Sequence, residues 1–279
     1  MARLQKRPGF FIVNRGGFGH TFRMICLNQI TKRFGAQVAV DQLSFTVPAG
    51  QILGFLGPNG AGKSTTLKIL TGMLAPTSGS ASICGIDLAG DPVGVKRAVG
   101  FVPESGAVFE SLTGLEYLEM VAALYGIPGA IARPRIEQFL AFFDLSFATL
   151  TDKLLGAYSK GMRRKVVITA ALLHNPQVVF FDEPLDGLDA NAAVGFKKLI
   201  QTLAREGKTI VYSSHILDVV ERVCDRVIII NKGKLLLDGA PDALVAASGA
   251  DTLERLFTQL TGGAELERRA EDFARTFRS

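Results

Sequence analysis

From Met24 onward the apolar positions mark a succession of short elements. Met24-Ile25-Cys26-Leu27 opens as a strand-like run, and Leu43-Ser44-Phe45-Thr46-Val47 alternates apolar and polar as a half-buried strand does, ahead of the turn Pro48-Ala49-Gly50. Gln51 to Leu56 is mostly apolar, fit for a central strand, and a glycine-rich turn leads from it into a helix-like stretch ending at Met73. Strand-like runs return at 81–86 and 99–102. From about Leu112 to Leu173 the period becomes helical. Leu115, Leu118, Val121, Ala122 and Tyr125 fall on one face, and Ile136, Phe139, Leu140 and Phe143 do the same further on. Alternation then resumes: a strand at 178–181, a helix near 190–205, a strand at 209–212, a short helix, and a strand at 227–230 that Asn231-Lys232-Gly233 turns back onto 235–237. The pattern predicts an α/β fold with a mainly parallel sheet, interrupted by a helical insertion. A tail from about Pro241 reads as short amphipathic helices.

Composition narrows the class. A chain of 279 residues that is 48% hydrophobic and 20% charged has the material for a large core and is not disordered. No apolar stretch reaches the roughly 18 residues a spanning helix needs. The longest, 166–181, is broken by His174, Asn175 and Pro176. The expectation is a chain that meets a membrane only through a partner. The net charge of +5 traces to residues 1–23, where Arg3, Lys6, Arg7, Arg15 and Arg23 have no acidic companion. The remaining residues carry equal numbers of acidic and basic side chains, so the body is neutral and no nucleic-acid partner is expected. The segment 1–23 lacks the apolar region and cleavage site of a secretory signal; its arginines leave an organellar presequence open. It is expected to be poorly ordered. Cys26, Cys84 and Cys224 are odd in number, with no CxxC pair, and read as reduced thiols.

Two segments carry chemistry. Gly57-Pro58-Asn59-Gly60-Ala61-Gly62-Lys63-Ser64, followed by Thr65, matches the phosphate-binding pattern G-x-x-x-x-G-K-[ST]. Its glycines let the backbone curl until its N–H groups face a pyrophosphate, and the following helix turns the positive end of its dipole to the same anion. Lys63 adds a full charge near the β- and γ-phosphates, and the Ser64 hydroxyl is a ligand for Mg²⁺. The strand before it and the helix after it set this segment apart from an ordinary glycine turn. The second is Val178-Val179-Phe180-Phe181-Asp182-Glu183, an apolar strand ending in two carboxylates. Asp182 at the tip suits a Mg²⁺ contact, and Glu183 is placed to polarise a water attacking the γ-phosphate.

With these motifs in order, the sequence from about Ile25 to Asp238 resembles the ATP-binding subunit of ABC transporters. The resemblance implies a P-loop NTPase core with a mainly parallel sheet, an N-terminal antiparallel β subdomain and an inserted helical subdomain over about 105–173. The ATPase domain would then span 24–240, with a short helical tail over 241–279. It further implies ATP and Mg²⁺ as ligands. Phe34, which alone reads as a core aromatic at a strand end, looks like the residue that stacks on adenine. Tyr158-Ser159-Lys160-Gly161-Met162 occupies the place of the signature LSGGQ, where Ser159 and Gly161 would hold the nucleotide of another protomer. Lys160 and Met162 depart from that pattern, and Ser159 alone reads as a helix cap. Glu104 stands where the family has the Gln of the Q-loop, and still offers an oxygen to Mg²⁺ or the water. Asp189, alone a helix N-cap, resembles the D-loop aspartate. His215 in Tyr212-Ser213-Ser214-His215 matches the switch histidine that reaches the γ-phosphate; His20 and His174 match nothing.

One phosphate loop and one signature occur, far apart in the chain, so the complete site would need a second copy of it. The family further implies a separately encoded transmembrane permease, a place on the cytoplasmic face of the membrane, and dimer closure driven by ATP. Glu104, the signature and the segment 253–261 look like the export branch. The competing readings are a soluble ABC-type ATPase acting on ribosomes or nucleic acid, and a P-loop switch or kinase outside the family.

Overall fold

A computed structural model describes residues 23–262 and the single positions 269 and 273. The segment 1–23 expected to be poorly ordered lies outside these residues except for Arg23, which opens the first strand. Two sheets and a set of helices make up the molecule. A four-stranded antiparallel sheet is built from β1 (Arg23–Phe34), β2 (Gln37–Pro48), β4 (Ser78–Ile83) and β5 (Ile86–Asp87), in the order β2-β1-β4-β5. The run expected as one strand over 81–86 is two. Cys84 and Gly85 both take positive φ, 54° and 76°, the backbone of a tight hairpin turn, and β5 folds back on β4.

The second sheet contains β3 (Ile52–Leu56), β6 (Val99–Val102), β7 (Val178–Asp182), β8 (Thr209–Ser213), β9 (Arg226–Asn231) and β10 (Lys234–Gly239), in the order β10-β9-β3-β8-β7-β6. Only β10 runs antiparallel, on β9; the other neighbours are parallel. Strands β3, β7 and β8 are buried along their whole length, as sequences without alternation require. One apolar core lies between the two sheets and around α1 (Lys63–Leu70) and α2 (Pro92–Ala98); a second fills the opposite face, under α7 (Ala190–Arg205) and α8 (Leu217–Val223). The helix expected to reach Met73 ends sooner, because the Thr71 hydroxyl bonds back to Leu67 O and Gly72 takes a φ of 68°.

The helical insertion holds α3 (Gly114–Leu124), α4 (Gly129–Phe143), α5 (Phe147–Asp152) and α6 (Lys160–Leu173) around a third core that includes Leu118, Ile136, Leu150 and Leu173. A capping box between Thr113 and Glu116 starts α3. His174, just beyond α6, stacks on Tyr125 with ring centroids 3.7 Å apart and has Nε2 3.0 Å from Val99 O. Among the described residues no helix is long and apolar enough to cross a membrane. The last helices, α9 (Pro241–Ser248) and α10 (Leu253–Thr261), are part of the body: Leu253 and Leu256 are buried in the second core with Val220 and Val223.

Two predictions follow from this packing. Leu256→Ala removes a buried side chain and is expected to lower stability by about 2–5 kcal/mol, whereas Leu236→Ala, at an exposed position, stays within about 0.5 kcal/mol; urea denaturation measures both. Burial holds the His174 imidazole down at about 4, so the fold favours its neutral form. Its contribution is complete above about 6.5, where the unfolded chain also has it neutral, and is lost as pH falls from there towards 4. The urea midpoint of the unmodified chain should therefore fall more steeply over that interval than that of His174→Gln.

Candidate functional site

Four parallel strands deliver their C-terminal ends to one edge of the sheet, and each end carries a residue singled out from the sequence. Strand β3 runs into the phosphate loop, β6 into Pro103-Glu104, β7 into Asp182-Glu183 and β8 into Ser214-His215. This is the edge at which open parallel sheets place ligands. The order of the strands sets the spacing, with β8 between the phosphate-loop strand and the strand of the two carboxylates.

The loop is curled by contacts as well as by its glycines. At Gly57 a Cβ would lie 2.5 Å from Ile230 O and 2.9 Å from Ala61 Cβ, so only glycine fits. Gly62, at φ 105°, would put a Cβ 2.4 Å from Ala39 O. Backbone bonds from Ala61 to Pro58 O (3.0 Å) and from Gly233 to Ala61 O (2.9 Å) close the curl. Lys63 bends over this loop and donates to Gly57 O at 2.5 Å and Pro58 O at 3.3 Å. Burial lowers its ammonium pKa, while the carboxylates of Glu183, Asp182 and Glu104 work to keep it charged.

Ser64 donates its hydroxyl to Asp182 Oδ2 at 3.2 Å, joining the two motifs. Asp182 is buried, and burial pushes its carboxyl up against the hydrogen bond from Ser64. Glu183 has a φ of 50°, a left-handed backbone that costs a non-glycine residue about 1–2 kcal/mol. The twist turns its carboxylate across the end of the sheet. There Oε2 is 2.9 Å from His215 Nδ1 and accepts from the Ser214 hydroxyl at 3.2 Å. The acid and the expected switch histidine thus form a pair.

A cleft of about 500 Å³ joins these parts, lined by Phe34, the phosphate loop from Pro58 to Thr65 with Ala61 behind it, Glu104, Asp182 and Glu183. Phe34 is half exposed at the mouth of the cleft, which corrects its reading as a core aromatic, and Lys32 Nζ stands 5.1 Å from its ring centre. Sequence reasoning missed Gln37 and Ala39, which line the same mouth from β2. It also missed Ser214, whose position beside His215 was the available signal.

Ser159, Gly161 and Asp189 do not line this cleft, and the segments that carry them touch one another. Ser159 caps α6, accepting from Met162 N–H at 3.2 Å, and Asp189 caps α7, accepting from Ala192 N–H at 2.8 Å. Both functions as caps hold. Gly161 packs against Gly187, where a Cβ would meet the carbonyl oxygen at 2.3 Å, and Lys160 pairs with Asp186 at 2.5 Å. Lys165 ties α6 to Asp189 at 3.0 Å. The N-terminus of α6 and the turn 186–189 therefore form a second polar patch, built by residues where the signature departs from its usual form.

Comparison with known proteins agrees with this geometry. Residues 40–186 match the family model described as ABC transporter. An uncharacterized ABC transporter ATP-binding protein of Nostoc is 40% identical over 213 residues, covering 75% of this chain and 62% of the relative. The daunorubicin/doxorubicin resistance ATP-binding protein of Streptomyces peucetius is 35% identical over 246 residues, covering 88% of this chain and 74% of the relative. A bacterial ABC transporter cassette solved as a dimer superimposes with a TM-score of 0.72 at 26% identity, covering 78% of this chain and 98% of that one. The chain belongs to the ABC transporter family, among its ATP-binding proteins.

Proposed function

We propose that this chain hydrolyses ATP between two copies of itself and so moves a separately encoded transmembrane partner, in the direction of export. The observation that carries the reading is the division of the polar residues. Lys63, Ser64, Asp182, Glu183 and Phe34 share one cleft, while Ser159, Gly161 and Asp189 form a second patch outside it. A second copy supplies the second patch to the first cleft. The dimeric solved cassette supports this, and the resemblance to a drug-resistance protein supports export.

In the cleft, adenine stacks on Phe34, and the triphosphate lies along the loop N–H groups with Lys63 beside the β- and γ-phosphates. Ser64 and Asp182 offer a hydroxyl and a carboxylate, hard oxygen donors of the kind Mg²⁺ takes together with phosphate oxygens and water. Glu104 lines the same cleft and adds a further oxygen. When bound, the ion neutralises phosphate charge and draws electron density from the γ-phosphoryl group. Glu183 takes a proton from water as the water oxygen bonds to the γ-phosphorus and the bond to the bridging oxygen breaks. His215 and Ser214 hold that carboxylate in place. Loss of the γ-phosphate removes the anion that both copies share, and the pair opens.

The partner's place is a groove of about 330 Å³ between the sheet domain and the helical insertion. Met73, Lys96 and Phe101 line it from one side, Tyr117, Val121 and Tyr125 from the other. Its apolar lining suits a short segment from the cytoplasmic side of a permease, and such docking would hold the chain at the membrane surface.

Glu183→Gln is expected to keep ATP binding, to slow turnover by about 10²–10⁴-fold, and to accumulate as an ATP-bound dimer in light scattering. Lys63→Ala loses nucleotide binding first. Unchanged turnover in Glu183→Gln removes that residue as the base, and a chain that stays single with ATP and Mg²⁺ removes the paired reading. At the groove, Met73 is exposed, so Met73→Glu leaves the fold intact while placing a charge against the apolar lining. Recovery of the permease with the chain should fall by about tenfold or more.

A further inference from the structure

Among the described residues two charged side chains belong to buried residues, Asp182 and Arg164. The first lies in the catalytic cleft. The second has no part in the reaction as derived so far. Arg164 sits on α6, and its guanidinium donates through Nη1 to Pro103 O and through Nη2 to Glu104 O, both at 2.7 Å. Burial works against its charge, and the carboxylates of Asp186, Asp182, Glu104 and Glu183 work for it.

Holding two loop carbonyls does not require a cation. A neutral amide or a water satisfies a carbonyl without the several kcal/mol that taking an ion out of water costs. What the guanidinium adds is rigidity: a planar fork that fixes two acceptors at once in one geometry. The acceptors are the backbone oxygens of the residues that lead β6 into the cleft, and Glu104 lines that cleft. Arg164 comes five residues after Ser159, about 7.5 Å along the axis of α6. One stiff helix therefore carries, at its outer end, the hydroxyl that faces a second copy's nucleotide. A turn and a half further in, it carries the grip on the loop beside the chain's own nucleotide.

We propose that Arg164 is a positioning residue that couples the two nucleotides of the closed pair, by tying the Glu104 loop of each chain to the helix that holds the other chain's ATP. The inference rests on the paired reading given above. Closure on one nucleotide draws in the N-terminus of α6, and the fork carries that displacement to the loop at the other. Because coupling between sites is reciprocal, each nucleotide then strengthens closure over its counterpart.

The test is ATP hydrolysis by the full chain as a function of ATP concentration, for the unmodified protein, Arg164→Lys and Arg164→Met. Lysine keeps the charge and most of the stem, and its ammonium has donors for both carbonyls, but it lacks the planar fork that fixes them in one geometry. The unmodified chain is expected to show a Hill coefficient clearly above 1. Both variants should fall to about 1, with turnover reduced by about tenfold, within the range that coupling free energies produce. Affinity for ATP at protein concentrations too low for pairing stays within about twofold. A purely structural role would lower thermal stability and turnover while leaving the Hill coefficient unchanged, and that result overturns the assignment. So does wild-type cooperativity in Arg164→Lys, or a Hill coefficient of 1 in the unmodified chain. Glu183→Gln run in parallel separates the two levels. If it forms no dimer with ATP, the paired reading and the coupling fall together; if it dimerises while Arg164→Lys stays cooperative, the coupling alone falls.

Discussion

Two carbonyl oxygens decide the shape of the nucleotide cleft. Ile230 O closes the space beside Gly57, and Ala39 O closes the space beside Gly62. One comes from the end of β9 and the other from β2, so the phosphate loop is gripped by both sheets at once. Its curl is a property of the whole fold. A side chain at either position would push the loop off one sheet or the other, and with it the N–H groups that face the phosphates. The Lys63 and Ser64 side chains start from this loop, so their placement relative to Asp182 depends on the same two contacts.

Much of this was legible in the sequence because the relevant signals are local. Central strands read as unbroken apolar runs, and the phosphate loop has fixed glycine spacing. The two carboxylates after 178–181 sit where a strand tip must be. What could not be read depends on backbone geometry or on contacts between distant segments. The split of 81–86 turns on the positive φ of Cys84, which its side chain does not announce. The exposure of Phe34 depends on its place at the end of β1, where its ring borders the cleft and Lys32 of the same strand stands over it. The depth of Leu253 and Leu256 depends on their packing in one core with Val220 and Val223 of α8, some thirty residues earlier in the chain. Lys160 looked like damage to the signature, because its partner Asp186 lies in another motif. Arg164 stands beside Lys160, Arg163 and Lys165 in the sequence, and the carbonyls it holds carry no sequence mark at all.

The pair of Lys160 and Asp186 shows how a motif can change residues and keep its geometry. Both side chains are substantially exposed, so the ion pair itself contributes little stability. Its use is positional. It joins the N-terminus of α6 to the turn before Asp189, and Lys165 joins the same helix to Asp189 itself. Ser159, Gly161 and Asp189 are thereby held as one face, although 159–161 and 186–189 come from different parts of the chain. A face held in that way can meet another molecule without first being ordered by it, which lowers the entropic cost of association.

The side chains proposed to face the phosphates already have protein partners. Lys63 donates to Gly57 O and Pro58 O, Ser64 donates to Asp182, and the Ser159 hydroxyl accepts from its own helix. For these side chains binding would exchange hydrogen bonds more than add them, and an exchange of neutral bonds is worth little. In the proposed pair the gain would come from the loop N–H groups and from charge: a polyanion meeting a lysine ammonium and the positive ends of α1 and, across the pair, α6. An interaction of that kind scales with the charge held in the gap. In the proposed pair the γ-phosphate would carry the part of that charge nearest the second copy, so its loss would remove the term that keeps the two chains together, while the nucleotide that remains would still have the loop and Phe34.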